Sequence, residues 1–345
     1  MTTLRDHLAR WAGTDAARRD IAGALDAIAQ AAAELSDLVA LGQLGGRFGD
    51  VVGDSLDGDG QKALDLRANA LFLDALRAAP VAVAASEEDP DPVVLRPEGA
   101  PLAVAFDPLD GSNNIDSNAP IGCVFSVLPA AEPGRDPGAA FLRPGDRQLA
   151  AGFVLYGPHT SLVLTTGQGV QVFTLDPRDR AFRLTHPSVR MPEGRREYAI
   201  NASNKRHWSL PIRVFVEECT AGAEGPRGVD YNTRWLGCVV AEAYRILLRG
   251  GIYLYPGDRR EGYRRGRLRL LYEAAPLAML VEQAGGAATD GFRRILDLVP
   301  SDIHQRVPLI FGSNDKVERV TELHTAGVPQ AGQRPLFAAR GLFKS

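Results

Sequence analysis

Two short apolar runs in this chain each end in acids. Val81 to Ala85 runs into Ser86-Glu87-Glu88-Asp89, and Leu102 to Phe106 runs into Asp107-Pro108-Leu109-Asp110-Gly111-Ser112. Apolar runs of this length, bounded by proline and turn residues, read as strands. If the two are neighbours in one sheet, Glu87, Glu88, Asp107 and Asp110 converge at their C-terminal ends. Open α/β sheets place ligands there. Acids this close repel one another and resist ionising. Bound divalent cations remove that penalty, and an all-oxygen donor set suits Mg²⁺ or Mn²⁺ rather than zinc. Taken alone, Glu87 to Asp89 reads equally well as solvated loop acids. The Asp107 to Ser112 stretch is more specific. Pro108 fixes the chain, Gly111 frees it, and two acids three apart then face one point. Amides from Gly111 to Asn113, turned inward, would cradle an anion.

The rest of the chain alternates helix and strand. Thr14 or Asp15 can cap a helix carrying Ile21, Leu25, Ile28, Ala32, Leu35 and Val39, which Gly42 ends. Gly45 to Gly60 holds six glycines and four aspartates and is expected to be a mobile loop. A helix is expected from Gln61 to Ala79, and a β-meander between Ala150 and Leu184. The proline- and arginine-rich stretch from Pro187 to Arg196 marks a candidate domain junction. Beyond it, Trp235 to Leu248 and Tyr272 to Ala284 read as helices, Ile252 to Tyr255 and Pro308 to Phe311 as strands, and a last helix starts near Asn314. This alternation defines an α/β protein with helices layered on sheets. The chain's 345 residues suffice for one large or two medium domains.

Longer strings carry a resemblance. FDPLDGSNNIDSNAPIG (Phe106 to Gly122), with the Glu87-Glu88 pair about 20 residues upstream, resembles the class I fructose-1,6-bisphosphatases of the lithium-sensitive, metal-dependent phosphatase superfamily. GDGQKALDLRAN (Gly58 to Asn69), GGIYLYP (Gly250 to Pro256) and GRLRLLYEAAPLAMLVEQAGG (Gly266 to Gly286) are similar to the same family and keep its order. The resemblance implies a layered α-β-α-β-α sandwich, with residues 1–192 as a metal-binding phosphatase domain and 193–345 as a substrate-binding α/β domain. It implies hydrolysis of the 1-phosphate of fructose 1,6-bisphosphate, two or more Mg²⁺ per subunit with Mn²⁺ able to substitute, and a cytoplasmic homotetramer.

Roles follow from the same resemblance. Glu87, Asp107, the carbonyl of Leu109, Asp110 and Glu273 would bind metal. Glu88 and Asp65 would act around the attacking water, and Asp59 would lie on a loop that closes over the metals. Asp110, Gly111, Ser112 and Asn113 would contact substrate, with Arg269 near the reacting phosphate and Arg267 near the sugar. Asn201, Tyr255 and an Arg234 donated by a neighbouring subunit would hold the distal phosphate. The chain departs from the family at several points. Arg267 stands where many members have lysine, and Asn204 and Trp235 where animal members have tyrosine. Pro101-Leu102 replaces the lysine-tyrosine pair through which AMP inhibits animal members, so AMP inhibition of that type is expected to be weak or absent.

Other readings weigh less. Six arginines lie between Arg259 and Arg269; Arg259, Arg260, Arg264 and Arg265 read as a solvated basic loop. A net charge of -3 argues against a nucleic-acid partner. No P-loop, G-x-S-x-G elbow or zinc spacing of the histidines occurs. Cys123, Cys219 and Cys238 read as reduced core thiols. No run of 18 apolar residues suggests a membrane span. Two alternatives stay open: sedoheptulose-1,7-bisphosphatase activity, alone or alongside, and a non-catalytic sugar-phosphate sensor.

Overall fold

The computed structural model describes residues 1–46, 49–54, 60–132 and 134–327. Two helices open the chain, α1 (Leu4–Ala12) and α2 (Ala16–Leu41). Thr3 and Asp6 form a reciprocal capping box on α1. Asp15 caps α2 by accepting from Arg18 N–H, and Gly42, at φ +50°, ends it. The short pair β1 (Val51–Asp54) and β2 (Gly60–Lys62) follows, then α3 (Ala63–Arg77). The glycine-rich stretch is therefore not all loop: its flanks pair antiparallel.

The first large sheet is built from β3 (Val81–Ser86), β4 (Val93–Val94), β5 (Leu102–Asp110), β6 (Ile121–Pro129), β7 (Ala150–Tyr156), β8 (Thr160–Thr165), β9 (Val170–Asp176) and β10 (Ala181–Val189). Its order is β10-β9-β8-β7-β6-β5-β3-β4. The β3–β5 pair is parallel and every other pair is antiparallel. The two acid-tipped strands are neighbours, which meets the condition under which their acids converge.

The second half supplies β11 (Glu197–Ala199), α4 (Leu210–Thr220), β12 (Asn232–Thr233), α5 (Val239–Arg249), β13 (Ile252–Tyr255), β14 (Leu268–Arg269), α6 (Ala275–Gln283), β15 (Ala287–Thr289), β16 (Arg306–Val307), β17 (Leu309–Gly312) and α7 (Asn314–Thr325). Five of these strands form a sheet in the order β12-β11-β13-β17-β15, and β14 pairs with β16.

Three apolar cores define the layers. Leu25, Ile28 and Leu35 of α2 and Phe72 of α3 meet Val104, Phe106 and Phe125 on one face of the large sheet. The alternate residues Val124, Phe153 and Val163 face the other way, as the two-residue period of a strand requires. They pack with Val240 and Ile246 of α5 and Leu277 and Leu280 of α6, and these helices rest in turn on Tyr253 and Phe311 of the smaller sheet. The far face of that sheet, Ile252, Leu254 and Ile310, is covered by Phe215 of α4 and Val320 of α7. The layer order is α-β-α-β-α. All nine residues of β5 are buried, because helices cover both faces of the sheet.

Two helices differ from the sequence reading. The Trp235 to Leu248 helix begins only at Val239; Gly237 at φ +71° breaks the preceding turn. The Tyr272 to Ala284 helix is preceded by a π turn, Leu270–Ala274, and becomes regular at Ala275. Among the described residues, no helix is long and apolar enough to cross a membrane.

Candidate metal centre and substrate pocket

Residues three apart on a regular strand point to opposite faces. Asp107 and Asp110 escape this through a bulge. Asp107 pairs with Val124 and Asp110 with Gly122, so β5 fits three residue steps against two on β6. Bulges re-aim side chains in this way, and Pro108 and Leu109 fill this one. The strand thus runs to Asp110 instead of ending at Phe106. Leu109 N–H donates to Asp107 Oδ1 at 2.9 Å and fixes that carboxylate.

The third acid arrives from the other half of the chain. The π turn Leu270–Ala274 carries Glu273 inward; such turns recur at functional sites because they displace one residue from the helical register. Carboxylate oxygens of Asp107, Asp110 and Glu273 lie within 4.8 Å of one another, and all three residues are buried. Burial, with the charge of Glu87 next in effect, pushes the Asp107 and Glu273 carboxyls well above the usual range. Burial also raises Asp110, against hydrogen bonds from the α5 N-terminus that favour its ionised form. Three buried acids held in mutual repulsion fit a hard divalent cation, which supplies the missing charge and accepts oxygen donors.

Glu87 and Glu88 follow β3. The Glu87 amide extends the parallel ladder to Phe106 O at 3.1 Å, and Glu88 N–H donates to Ser86 Oγ at 3.2 Å. Glu87 stands at the rim of the three-acid group, its Oε1 3.5 Å from Arg269 Nε. Asp65, buried in the first turn of α3, accepts from Lys62 N–H at 2.8 Å. Burial first, and then the charge of Glu88, raise its carboxyl to about 7. Asp59 lies outside the described residues.

Beyond the bulge, Gly111 takes φ +80° and opens the 3₁₀ turn Ser112–Asn114. Asn114 Nδ2 ties this turn to Pro120 O at 2.9 Å and to Leu236 O at 3.1 Å. Asn201, Asn204, Tyr255 and Arg267 line a single concavity with Trp208, Arg260 and Tyr263. Arg267 lies over the Tyr263 ring at 4.8 Å. Tyr255 stacks on Trp235 at 6.0 Å and on Tyr253 at 6.2 Å. Arg269 is buried, and its Nη1 donates to His304 O at 2.8 Å. Arg234 is exposed and does not line this chain's own concavity. Of the basic loop, Arg259, Arg264 and Arg265 are exposed, whereas Arg260 pairs with Asp258 and lies over the Tyr263 ring.

Sequence reasoning missed three features around the site. Cys238, expected as a core thiol, is buried but has its Sγ 3.0 Å from Asp110 Oδ2. Lys62 is buried with its Nζ 2.8 Å from Asp116 Oδ2. His304 contacts Asp89 O at 3.1 Å and packs on Tyr272. Each contact spans at least 32 residues of chain, so no local pattern announces it.

Fold and site together define a sugar-phosphatase-type α/β sandwich with a buried group of three carboxylates that could hold a cation. Comparison with known proteins agrees and is more specific. The model for the fructose-1-6-bisphosphatase N-terminal domain matches residues 4–187, and that for the C-terminal domain residues 191–325. The chain belongs to the class 1 fructose-1,6-bisphosphatase family. It is 53% identical over 343 residues, 99% of this chain and 98% of the other, to a protein of Nitrobacter hamburgensis named fructose-1,6-bisphosphatase class 1 1. It is 54% identical, at the same coverage, to the fructose-1,6-bisphosphatase class 1 of Rhodopseudomonas palustris strain BisB18. The crystal structure of Leishmania major fructose-1,6-bisphosphatase in holo form superposes with a TM-score of 0.86 at 33% identity, covering 92% of this chain and 97% of that one.

Proposed function

We propose that this chain hydrolyses the 1-phosphate of D-fructose 1,6-bisphosphate, giving fructose 6-phosphate and inorganic phosphate, with Mg²⁺ as its cation. The observation that carries the reading is the buried Asp107, Asp110 and Glu273 group beside Arg269. When bound, Mg²⁺ (two or more ions, replaceable by Mn²⁺) supplies the charge that neutralises a reacting phosphoryl group and activates water. Asp107, Asp110 and Glu273 hold it, with Glu87 and the Leu109 carbonyl beside them. Glu88 takes the proton of the attacking water, and Asp65, close enough to feel its charge, shares that proton load. Arg269 and the turn Gly111 to Asn113 orient the reacting phosphate. Asn201, Tyr255 and Arg267 hold the distal phosphate and sugar in the concavity they share.

Arg234, exposed here, is donated to a neighbouring subunit, which makes the working form an oligomer; a homotetramer is the form we propose. In this reading residues 1–192 supply most of the cation site, and residues 193–345 supply Glu273 and the sugar pocket. The test is phosphate release from fructose 1,6-bisphosphate with and without Mg²⁺, beside sedoheptulose 1,7-bisphosphate, fructose 6-phosphate and inositol 1-phosphate. Mg²⁺-dependent release that favours fructose 1,6-bisphosphate, and is lost in Glu88→Gln, supports the reading. Cation binding without release from any of them refutes it.

A further inference from the structure

The N-terminus of α5 reaches across the layers to a carboxylate on the large sheet. Asp110 Oδ2 accepts from Val240 N–H at 2.9 Å and lies 3.0 Å from Cys238 Sγ. The same sulfur is 4.0 Å from the Asp110 carbonyl oxygen. Cys238 is only 3% exposed. A Cβ on Gly111 would come within 2.9 Å of Cys238 Cβ and 3.1 Å of its sulfur. The thiol is thus wedged between the Gly111 backbone and the Asp110 carboxylate.

This is an unusual helix start. Cys238 occupies the N-cap position of α5, yet its side chain makes no capping bond to the helix. The capping oxygen comes instead from Asp110, far back in the chain, at an end where free N–H groups and the helix dipole favour a negative charge. Arg245 of α5 pairs with Glu197 of β11 at 2.8 Å, which ties the helix to the smaller sheet.

We propose that Cys238 is a positioning residue for cation binding: its thiol, with the Val240 amide, pins Oδ2 of Asp110 and so turns that carboxylate toward Asp107 and Glu273. This rests on the reading of the three acids as a cation site. A carboxylate on a free rotor must be ordered before it can ligate, and partners behind a metal ligand commonly account for 10- to 100-fold in affinity. The backbone donor alone fixes one direction. The sulfur closes the second, and its bulk on Gly111 keeps the bulge from relaxing away from α5.

The experiment titrates the substrate-free full-length chain with Mn²⁺, by calorimetry, in wild type and in Cys238→Val, Cys238→Ala and Cys238→Ser. Valine keeps the volume and removes the donor; serine keeps a donor. We expect Cys238→Val and Cys238→Ala to bind Mn²⁺ about 10- to 100-fold more weakly, with Cys238→Ser within about threefold of wild type. The KM for fructose 1,6-bisphosphate at saturating metal should stay unchanged, and the activity defect should shrink as metal is raised. Should Cys238→Ala fail to fold, the valine and serine pair decides. Wild-type Mn²⁺ affinity in Cys238→Val overturns the proposal. So does a serine variant as weak as the valine one, which would assign the effect to packing alone, and so does a wild-type chain that binds no Mn²⁺. A chain that binds Mn²⁺ in this pattern but hydrolyses no sugar bisphosphate leaves the positioning role standing and removes the proposed activity.

Discussion

The amide of Arg269 donates to Glu273 Oε2 at 2.6 Å. One turn of chain therefore fixes an acid of the buried three-carboxylate group and carries the arginine that faces Glu87 at 3.5 Å. Glu273→Gln keeps the acceptor for that amide but removes one of three buried acids that resist ionising together. The metal-free variant should melt higher than the metal-free wild type, because like charges in a buried site oppose folding. Mg²⁺ at 100 times its dissociation constant should stabilise the wild type by about 2.7 kcal/mol. In the variant that increment should largely vanish, and phosphate release should fall by more than about 100-fold. Thermal melts with and without Mg²⁺ make the check. An undiminished Mg²⁺ increment would take Glu273 out of the cation site.

Asp65 gives a pH dependence with a definite sign. Burial first, and then the charge of Glu88, hold its carboxyl up at about 7 despite the Lys62 amide bond, which lowers it, against about 3.9 in an unfolded chain. A folded-state value raised in this way contributes stability that is complete below about pH 4 and is lost as pH rises toward 7. Asp65→Asn is neutral throughout. Relative to the wild type, the metal-free variant should therefore gain little at pH 4 and up to roughly 4 kcal/mol at pH 8. Denaturant unfolding across that range measures it. A difference that stays flat with pH would show that Asp65 does not titrate in this window.

The parts of the site legible in the sequence are those written locally. Strands ending in acids placed Glu87, Asp107 and Asp110, because β3 and β5 pair in parallel and the last residue of β3, Ser86, lies opposite Phe106, just before Asp107. Thr14 or Asp15 and Gly42 marked the ends of α2, and Asp15 is the residue that caps it. The bulge at Pro108 and Leu109 was half legible: its residues suggested a kink, not that the strand continues to Asp110. The start of α5 was misread because its cap is Asp110, far back in the chain, so Trp235 to Cys238 carry no local stop signal except Gly237. The short helix α1 escaped for a different reason. Nine residues give too few turns for a clear apolar period, although Thr3 and Asp6 spelled out its cap.

Gly111 is constrained twice, which sets up a two-residue test. Its φ of +80° disfavours any side chain, and a Cβ would stand 2.9 Å from Cys238 Cβ. Gly111→Ala should cost about 1–2 kcal/mol for the left-handed backbone and a further ~1–3 kcal/mol for the clash. Adding Cys238→Gly removes the obstruction, and glycine is tolerated at an N-cap. The double variant should recover the clash part and keep the backbone part. Additive losses in the cycle would mean that the two residues do not press on each other.

Arg245 joins the smaller sheet to α5 and, through Glu242, to the segment around Trp235. Its guanidinium meets Glu197 of β11 and Glu242 of α5, both nearly fully buried, each at 2.8 Å. Glu242 Oε1 also accepts from Leu236 N–H at 2.7 Å, which holds Trp235 where it stacks on Tyr253 at 5.9 Å and on Tyr255. In the wild type, Glu197 sits below its usual range: burial is opposed by Arg195 and Arg245. Glu242 sits above its usual range, because burial outweighs the help from Arg245. Arg245→Met keeps most of the stem and leaves buried Glu242 without its cation, while Glu197 retains Arg195, which should cost about 3–5 kcal/mol at pH 8. Glu242, already above its usual range, would then rise further, while Arg195 still lowers Glu197. The contribution of Glu242 is present at low pH and lost as pH rises, so the variant's deficit should shrink at pH 5. Loosening Leu236 should also raise the KM for fructose 1,6-bisphosphate more than it lowers kcat, since the reacting acids lie elsewhere. Unfolding at the two pH values and steady-state kinetics decide it. A deficit that is equal at pH 5 and pH 8 would mean that Glu242 does not take up a proton when Arg245 is gone.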